Sequence, residues 1–165
     1  MKTWVQPSRP EEIQPFPWLS AEAKSYFESL LRPDMLVVEF GAGGSTLWLS
    51  ERVKHVYSYE NDPDWLAVLR QRKPENVTLF FESLPAGGQR ADLLFIDGEP
   101  VELRGEWLDL AATIVKDGGI VVLDNANRPE YAEHLRRFTK RAKLLKRTAR
   151  ATGTMYAVTD FYQCE

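Results

Sequence analysis

Residues 37–50 read VVEFGAGGSTLWLS, with Gly41, Gly43 and Gly44 crowded behind two valines and an acid, Glu39. Glycines there let the chain turn tightly and let a ligand approach the main chain. The spacing departs from the dinucleotide fingerprint G-x-G-x-x-G, because Thr46 takes the third glycine's place. A carboxylate at Glu39 would repel a pyrophosphate and would suit a cationic ligand. Glu60 lies 19 positions after Gly41, where an acid at a strand end can accept hydrogen bonds from both hydroxyls of a ribose. Loop and acid together describe a nucleoside without phosphates that carries a positive group. A purely structural account stays open at this point: the glycines turn a strand into a helix, and Glu60 supports the helix that begins at Asp62.

Those residues need a scaffold, and the chain supplies one. Residues 1–18, with four prolines and two tryptophans, read as an irregular arm. Ser20 can cap a helix over 21–31, which Pro33 follows. MLVVEF (35–40) is a continuous apolar run, as expected of a strand buried on both faces. A helix follows from about Ser45 to Arg52. HVYSYE (55–60) is a second strand, and Asp62-Pro63 opens the next helix. VTLFF (77–81), DLLFID (92–97) and GGIVVLD (118–124) read as further strands. Between the last two, Leu103, Trp107, Leu110, Ala111 and Ile114 fall at helical spacing. Tyr131, Leu135 and Phe138 mark another helix, and two β-rich runs, about 143–149 and 154–162, meet at Gly153 as a hairpin.

Strands alternating with helices imply right-handed crossovers and a doubly wound sheet. The expected fold is α/β: one Rossmann-like domain over 1–165, with a mainly parallel seven-stranded sheet and a C-terminal antiparallel hairpin. Ligands of open α/β sheets sit beyond the carboxyl ends of the strands. Each of the first five strands ends on or beside an acid: Glu39, Glu60, Glu82, Asp97 and Asp124.

EFGAGGST resembles the first motif of the class I S-adenosylmethionine-dependent methyltransferases. YSYEND, DLLFIDG and GGIVVLDN resemble their second, fourth and fifth-strand motifs. The similarity spans roughly residues 35–125, and the spelling is nearest to small bacterial methyltransferase domains. It implies methyl transfer from S-adenosylmethionine to a small-molecule acceptor. It implies that Glu39 and the main chain of Gly41, Ala42 and Gly43 hold the methionine part, with Ser45 and Thr46 beside them. Glu60 and Asn61 would take the ribose side, and Glu82 or Ser83 the adenine amino group. Asp97 would face the methionine amine or the reacting centre. Asp97 and Asp124 are the catalytic candidates. DLLFID and VVLDN also resemble the segments that supply magnesium ligands in catechol O-methyltransferase-like enzymes, here Asp97, Asp124 and Asn125. That family places a lysine soon after the first aspartate, whereas DGEP follows here, so Mg²⁺ is not favoured. The alternative for Asp124-Asn125 is a turn off the sheet.

The composition sets bounds. Net charge is −3, which favours neither nucleic acid nor an anionic membrane as partner. Residues 134–150 nonetheless hold eight Lys or Arg and no acid, read as a solvated face and a guarded edge strand rather than a nucleic-acid grip. Cys164 is the only cysteine, so there is no intramolecular disulfide. No apolar signal core or membrane-spanning stretch is present, and the expected location is the cytoplasm. Trp4, Phe16 and Trp18 are candidates to roof the pocket, and Arg104 to meet a substrate carboxylate or pair with Glu102 or Glu106. A non-catalytic cofactor-binding domain and a nucleic-acid or protein methyltransferase are the rival readings, and the oligomeric state is left open.

Overall fold

A computed structural model describes residues 9–82, 90–152 and 155–165. Helix α1 (Ala21–Leu30) begins where Ser20 Oγ accepts the Ala23 N–H at 3.0 Å. The apolar run behind Met35 forms β1 (Leu36–Phe40), buried along its whole length. The glycine loop leads into α2 (Gly44–Ser50), and β2 (His55–Glu60) follows. Asp62 Oδ1 accepts the N–H groups of Asp64 and Trp65 and so caps α3 (Pro63–Arg72), with Pro63 in the first turn. Then come β3 (Val77–Phe81), β4 (Ala91–Ile96), α4 (Arg104–Ile114), β5 (Val115–Leu123), α5 (Ala132–Phe138), β6 (Ala142–Thr152) and β7 (Met155–Cys164). The Gly153 turn expected between the last two strands lies outside the described residues.

The strands form one seven-stranded sheet in the order β3-β2-β1-β4-β5-β7-β6. All pairs among β1 to β5 are parallel, and β7 is antiparallel to both β5 and β6. β5 starts at Val115 rather than at 118. Gly118, at φ +76°, and a shift of register against β4 let the ladder continue through that irregularity. Helices cover both faces. Phe40, Trp107, Leu108, Tyr131 and Tyr162 fill one side of the sheet, and Phe27, Trp48, Phe95 and Phe161 the other.

The N-terminal arm is more fixed than its composition suggests. Ile13 is fully buried against Ala42, Leu47 and Leu69, a contact that stabilises by about 1.5–3 kcal/mol. The arm then passes over the start of α2, where a Cβ on Gly44 would fall on the carbonyl oxygens of Gln14 and Phe16. Glycine at 44 is therefore a packing requirement of the arm. Trp4 lies outside the described residues.

Candidate functional site

The parallel ladder dictates where the site is. The strand order reverses between β1 and β4, so the loops after them diverge and leave a crevice at their carboxyl ends. Main-chain hydrogen bonds carry the register past the strand ends. Gly41 N donates to Tyr59 O at 2.9 Å, Asp97 N to Phe40 O at 3.0 Å and Asp124 N to Ile96 O at 3.1 Å. Gly41 has φ +99°, and a Cβ there would collide with the backbone of Gly98. The loops after β1 and β4 therefore touch at two glycines and form the floor of the crevice. Gly43 faces open space, since a Cβ on it would meet nothing within 4 Å.

The crevice has two connected halves that share Gly41, Glu60 and Asn61. One, of about 380 Å³, runs between Tyr59, Glu82, Glu106 and Trp107. The other, of about 310 Å³, runs under the arm between Gln14, Trp18, Trp65, Asp97 and Glu99. Its wall includes Ala42, Gly43 and Ser45. Among the described residues, neither wall contains a lysine, arginine or histidine, while Glu60, Asp62, Glu82, Asp97, Glu99 and Glu106 all contribute. Glu60 is held ready: its Oε1 accepts the N–H groups of Asn61 at 2.9 Å and Asp62 at 2.8 Å. Burial pushes its carboxyl above the usual range, against the pull of those two N–H groups.

Glu39 does not face the crevice, which corrects its expected contact with the methionine part. The side chain is fully buried beneath the loop, and its oxygens accept from Ser45 Oγ at 2.5 Å, Thr46 Oγ1 at 2.6 Å and Ser58 Oγ at 2.5 Å. Thr46 Oγ1 in turn accepts the Gly43 N–H at 2.8 Å. Thr46 is fully buried and, like Glu39, shapes the loop from behind rather than lining it. The reason is the alternation of a strand: Glu39 is the penultimate residue of β1 and lies between β2 and β4, paired with Ser58 and Phe95. Burial, only partly offset by the hydroxyl donors, pushes its carboxyl up to about 7.

The ends of β4 and β5 are organised by Arg104, the first residue of α4, whose side chain is 2 % exposed. Its Nε donates to Gly98 O at 2.8 Å. Nη2 donates to Asp97 O at 2.8 Å and Oδ1 at 3.3 Å, and Nη1 to Asp124 O at 2.9 Å and Asn125 Oδ1 at 3.1 Å. Glu99 completes the surroundings at 3.7 Å. Neither role expected for Arg104 holds: its partners are Asp97 and Glu99, not Glu102 or Glu106. Asp97 keeps a fifth of its side chain open to the crevice. Burial and then the charge of Asp124 push its carboxyl up to about 8, although Arg104 pulls the other way.

Asp124 is 6 % exposed and lines neither half of the crevice, which corrects its placement as a catalytic candidate. Its Oδ1 accepts from Thr159 Oγ1 at 2.6 Å, and burial raises its carboxyl. Asn125, at φ +54°, turns the chain off the sheet, and the Tyr131 hydroxyl donates to its carbonyl. Ser83 lies outside the described residues. His55 meets Thr78 at 2.9 Å and His134 meets Asp109 at 2.8 Å, both away from the crevice. Among the described residues, no group of three or more His, Cys, Asp or Glu is placed to hold a metal ion.

Sequence reasoning did not single out Asp62, Trp65, Glu99, Glu106 or Trp107 as wall residues. Trp107 stacks on Phe40 with ring centroids 4.9 Å apart, and its ring also lies against Gly98. Its helical spacing gave only a core role. Glu99, two residues past Asp97, was the one with a visible signal.

No family model matches the chain, and no curated protein matches it significantly in sequence. Solved structures do match it. An O-methyltransferase from Bacillus cereus in complex with S-adenosylhomocysteine aligns with TM-score 0.70 at 15% identity, over 89% of this chain and 82% of that one. Precorrin 8w decarboxylase from Methanobacterium thermoautotrophicum aligns with TM-score 0.64 at 23% identity, over 94% and 95%. The N-methyltransferase NodS from Bradyrhizobium japonicum, in complex with S-adenosylhomocysteine, aligns with TM-score 0.66 at 10% identity, over 87% and 86%. With its 3-2-1-4-5-7-6 strand order and its antiparallel terminal hairpin, the chain has the fold of the class I S-adenosylmethionine-dependent methyltransferases.

Proposed function

We propose that this chain binds S-adenosylmethionine and transfers its methyl group to a small-molecule acceptor. The observation that carries the reading is the crevice at the β1–β4 divergence, floored by touching glycines and walled by carboxylates without a single cation among its described residues. The residues fit the cofactor. Glu60, anchored by two N–H groups, is placed to accept the ribose hydroxyls from between the two halves. The bare main chain at Gly41 and Gly43 admits close approach of a ligand. Asp97 presents a carboxylate to the half that the arm covers. A pyrophosphate would meet repulsion from every charged side chain described in these walls, which disfavours a dinucleotide.

When bound, S-adenosylmethionine supplies a methyl group activated on a cationic sulfur. What remains for the protein is alignment of the acceptor and exclusion of water. Trp18 and Trp65 give the covered half apolar faces, and its acids suit a neutral or cationic acceptor over an anionic one. Asp97 is the group positioned to hold or accept a proton there. The basic 134–150 segment supports a nucleic-acid reading less well. Arg136 pairs with Glu133, Arg137 with Asp109, Lys146 with Glu22 and Arg147 with Asp160. Calorimetry with S-adenosylmethionine and S-adenosylhomocysteine tests the reading. Saturable heat that Glu60→Ala weakens supports it, and no heat at millimolar ligand ends it. Cofactor binding without methyl transfer to any fraction of a metabolite extract would favour the non-catalytic alternative.

A further inference from the structure

The sequence resemblance that links Asp97, Asp124 and Asn125 to magnesium ligands meets an obstacle in the tertiary structure. These residues do converge, but on a side chain that the resemblance does not include. An arginine carries five N–H donors in a rigid plane and accepts nothing. In Arg104 those donors meet the main-chain oxygens of Asp97, Gly98 and Asp124 and the side-chain oxygens of Asp97 and Asn125, at 2.8–3.3 Å. The surroundings are all oxygen, the donor set a hard divalent cation would select. The guanidinium is buried among them and comes from α4, whose inner face, with Trp107, Leu108 and Ala111, is packed into the core. It cannot swing out without unpacking the first turn of α4.

We propose that Arg104 is a resident cation that takes the place of a divalent metal ion at the ends of β4 and β5, so that this crevice works without metal and takes an acceptor that does not have to chelate one. Arg104 is a positioning residue: it grips Asp97 from behind while the other side of that carboxylate faces the crevice. The consequence for the acceptor rests on the methyltransferase reading above. A metal lowers the pKa of a coordinated hydroxyl, and two vicinal hydroxyls bind one ion together. With the oxygens already claimed by the guanidinium, the acceptor must bring a nucleophile that is competent at neutral pH or that a carboxylate alone can deprotonate.

Mn²⁺ is the probe, titrated into the full chain with its electron paramagnetic resonance signal as readout, with and without S-adenosylhomocysteine. Wild type and Arg104→Lys, which both keep a cation, are expected to show no saturable Mn²⁺ binding up to about 1 mM. Arg104→Ala leaves the same oxygens without a cation and is expected to gain a saturable site, with a melting temperature that rises on adding Mn²⁺. A merely structural arginine would give a less stable Arg104→Ala with no new affinity for Mn²⁺. Stoichiometric Mn²⁺ binding by wild type overturns the proposal, as does a folded Arg104→Ala that gains none. Should Arg104→Ala fail to fold, Arg104→Ser is titrated in its place with the same expected gain, and saturable Mn²⁺ binding by Arg104→Lys also overturns the proposal. Calorimetric affinity for S-adenosylhomocysteine in EDTA against Mg²⁺ separates the two readings. A difference below about twofold supports the proposal, and tightening by Mg²⁺ of roughly tenfold or more overturns it. Absence of any S-adenosylhomocysteine binding defeats the cofactor reading alone, because the Mn²⁺ titrations do not depend on it.

Discussion

Two neighbouring regions of the sheet face the same problem and solve it differently. At the β1–β2 end, Glu39 is sealed under the glycine loop and stabilised by the hydroxyls of Ser45, Thr46 and Ser58, with no cation among the groups bonded to it. At the β4–β5 end, a buried guanidinium grips the Asp97 carboxylate from behind and binds the main-chain oxygen of Asp124. A buried carboxylate is costly unless its oxygens are satisfied. Hydroxyl donors satisfy oxygens but leave the charge uncompensated, and Glu39 is pushed up to about 7. One guanidinium opposite two acids leaves a charge over as well, and Asp97 is pushed up to about 8. Both solutions therefore favour the protonated, neutral carboxyl near neutral pH, and only the second creates a cation that could be mistaken for a metal position. Hydroxyls shape the loop, while the arginine welds two strand ends together.

The largest expected effect breaks the weld. Arg104→Met leaves the Asp97 carboxylate and the carbonyls of Asp97, Gly98 and Asp124 without their donor and should cost about 3–5 kcal/mol, read by urea denaturation. Next is the floor between the regions. Gly41→Ala forces a side chain into a positive φ and against Gly98, costing about 1–3 kcal/mol and most of the affinity for S-adenosylhomocysteine. Gly43→Ala, with open space around it, should stay within about 0.5 kcal/mol of wild-type stability, so any loss of affinity there reports contact with the ligand.

Glu60→Gln sharpens the comparison by testing an acid that faces the crevice. It should weaken S-adenosylhomocysteine binding by about 1.5–3 kcal/mol, roughly ten- to a hundredfold, with little change in melting temperature. A smaller effect is expected of the hydroxyl-bound acid. The Glu39 carboxyl is raised from 4.5 to about 7 on folding. Across that window the folded chain holds a proton that the unfolded chain has released, so stability falls as pH rises through it. Glu39→Gln should remove that part of the slope in denaturation midpoints measured between pH 4.5 and about 7, whereas an unchanged slope would show that Glu39 titrates normally. The smallest effect concerns Asp97. Its carboxylate gains charge as pH rises toward about 8, so the preference for S-adenosylmethionine over S-adenosylhomocysteine should grow across that range, and Asp97→Asn should abolish the trend in calorimetry.

Much of the scaffold was legible in one dimension. Continuous apolar runs, the Ser20 and Asp62 caps and the Pro63 start specify strands and helices through local rules that act over a few residues, and the alternation of elements leaves few topologies. The glycine loop and the acids at strand ends were legible for the same reason, because a parallel sheet delivers the residue after each strand to one edge. The sequence by itself therefore determined the fold and the neighbourhood of the site. Which way each acid points was decided only by tertiary structure. Glu39 and Glu60 both close strands beside the crevice, yet the pleat and the pairing with Ser58 turn one inward while the chain's exit toward α3 leaves the other in the wall. Arg104 lies seven positions from Asp97 and twenty from Asp124, and no local rule brings those together. The packing of α4 across β4 and β5 does, because a buried charge finds its partner through space rather than along the chain.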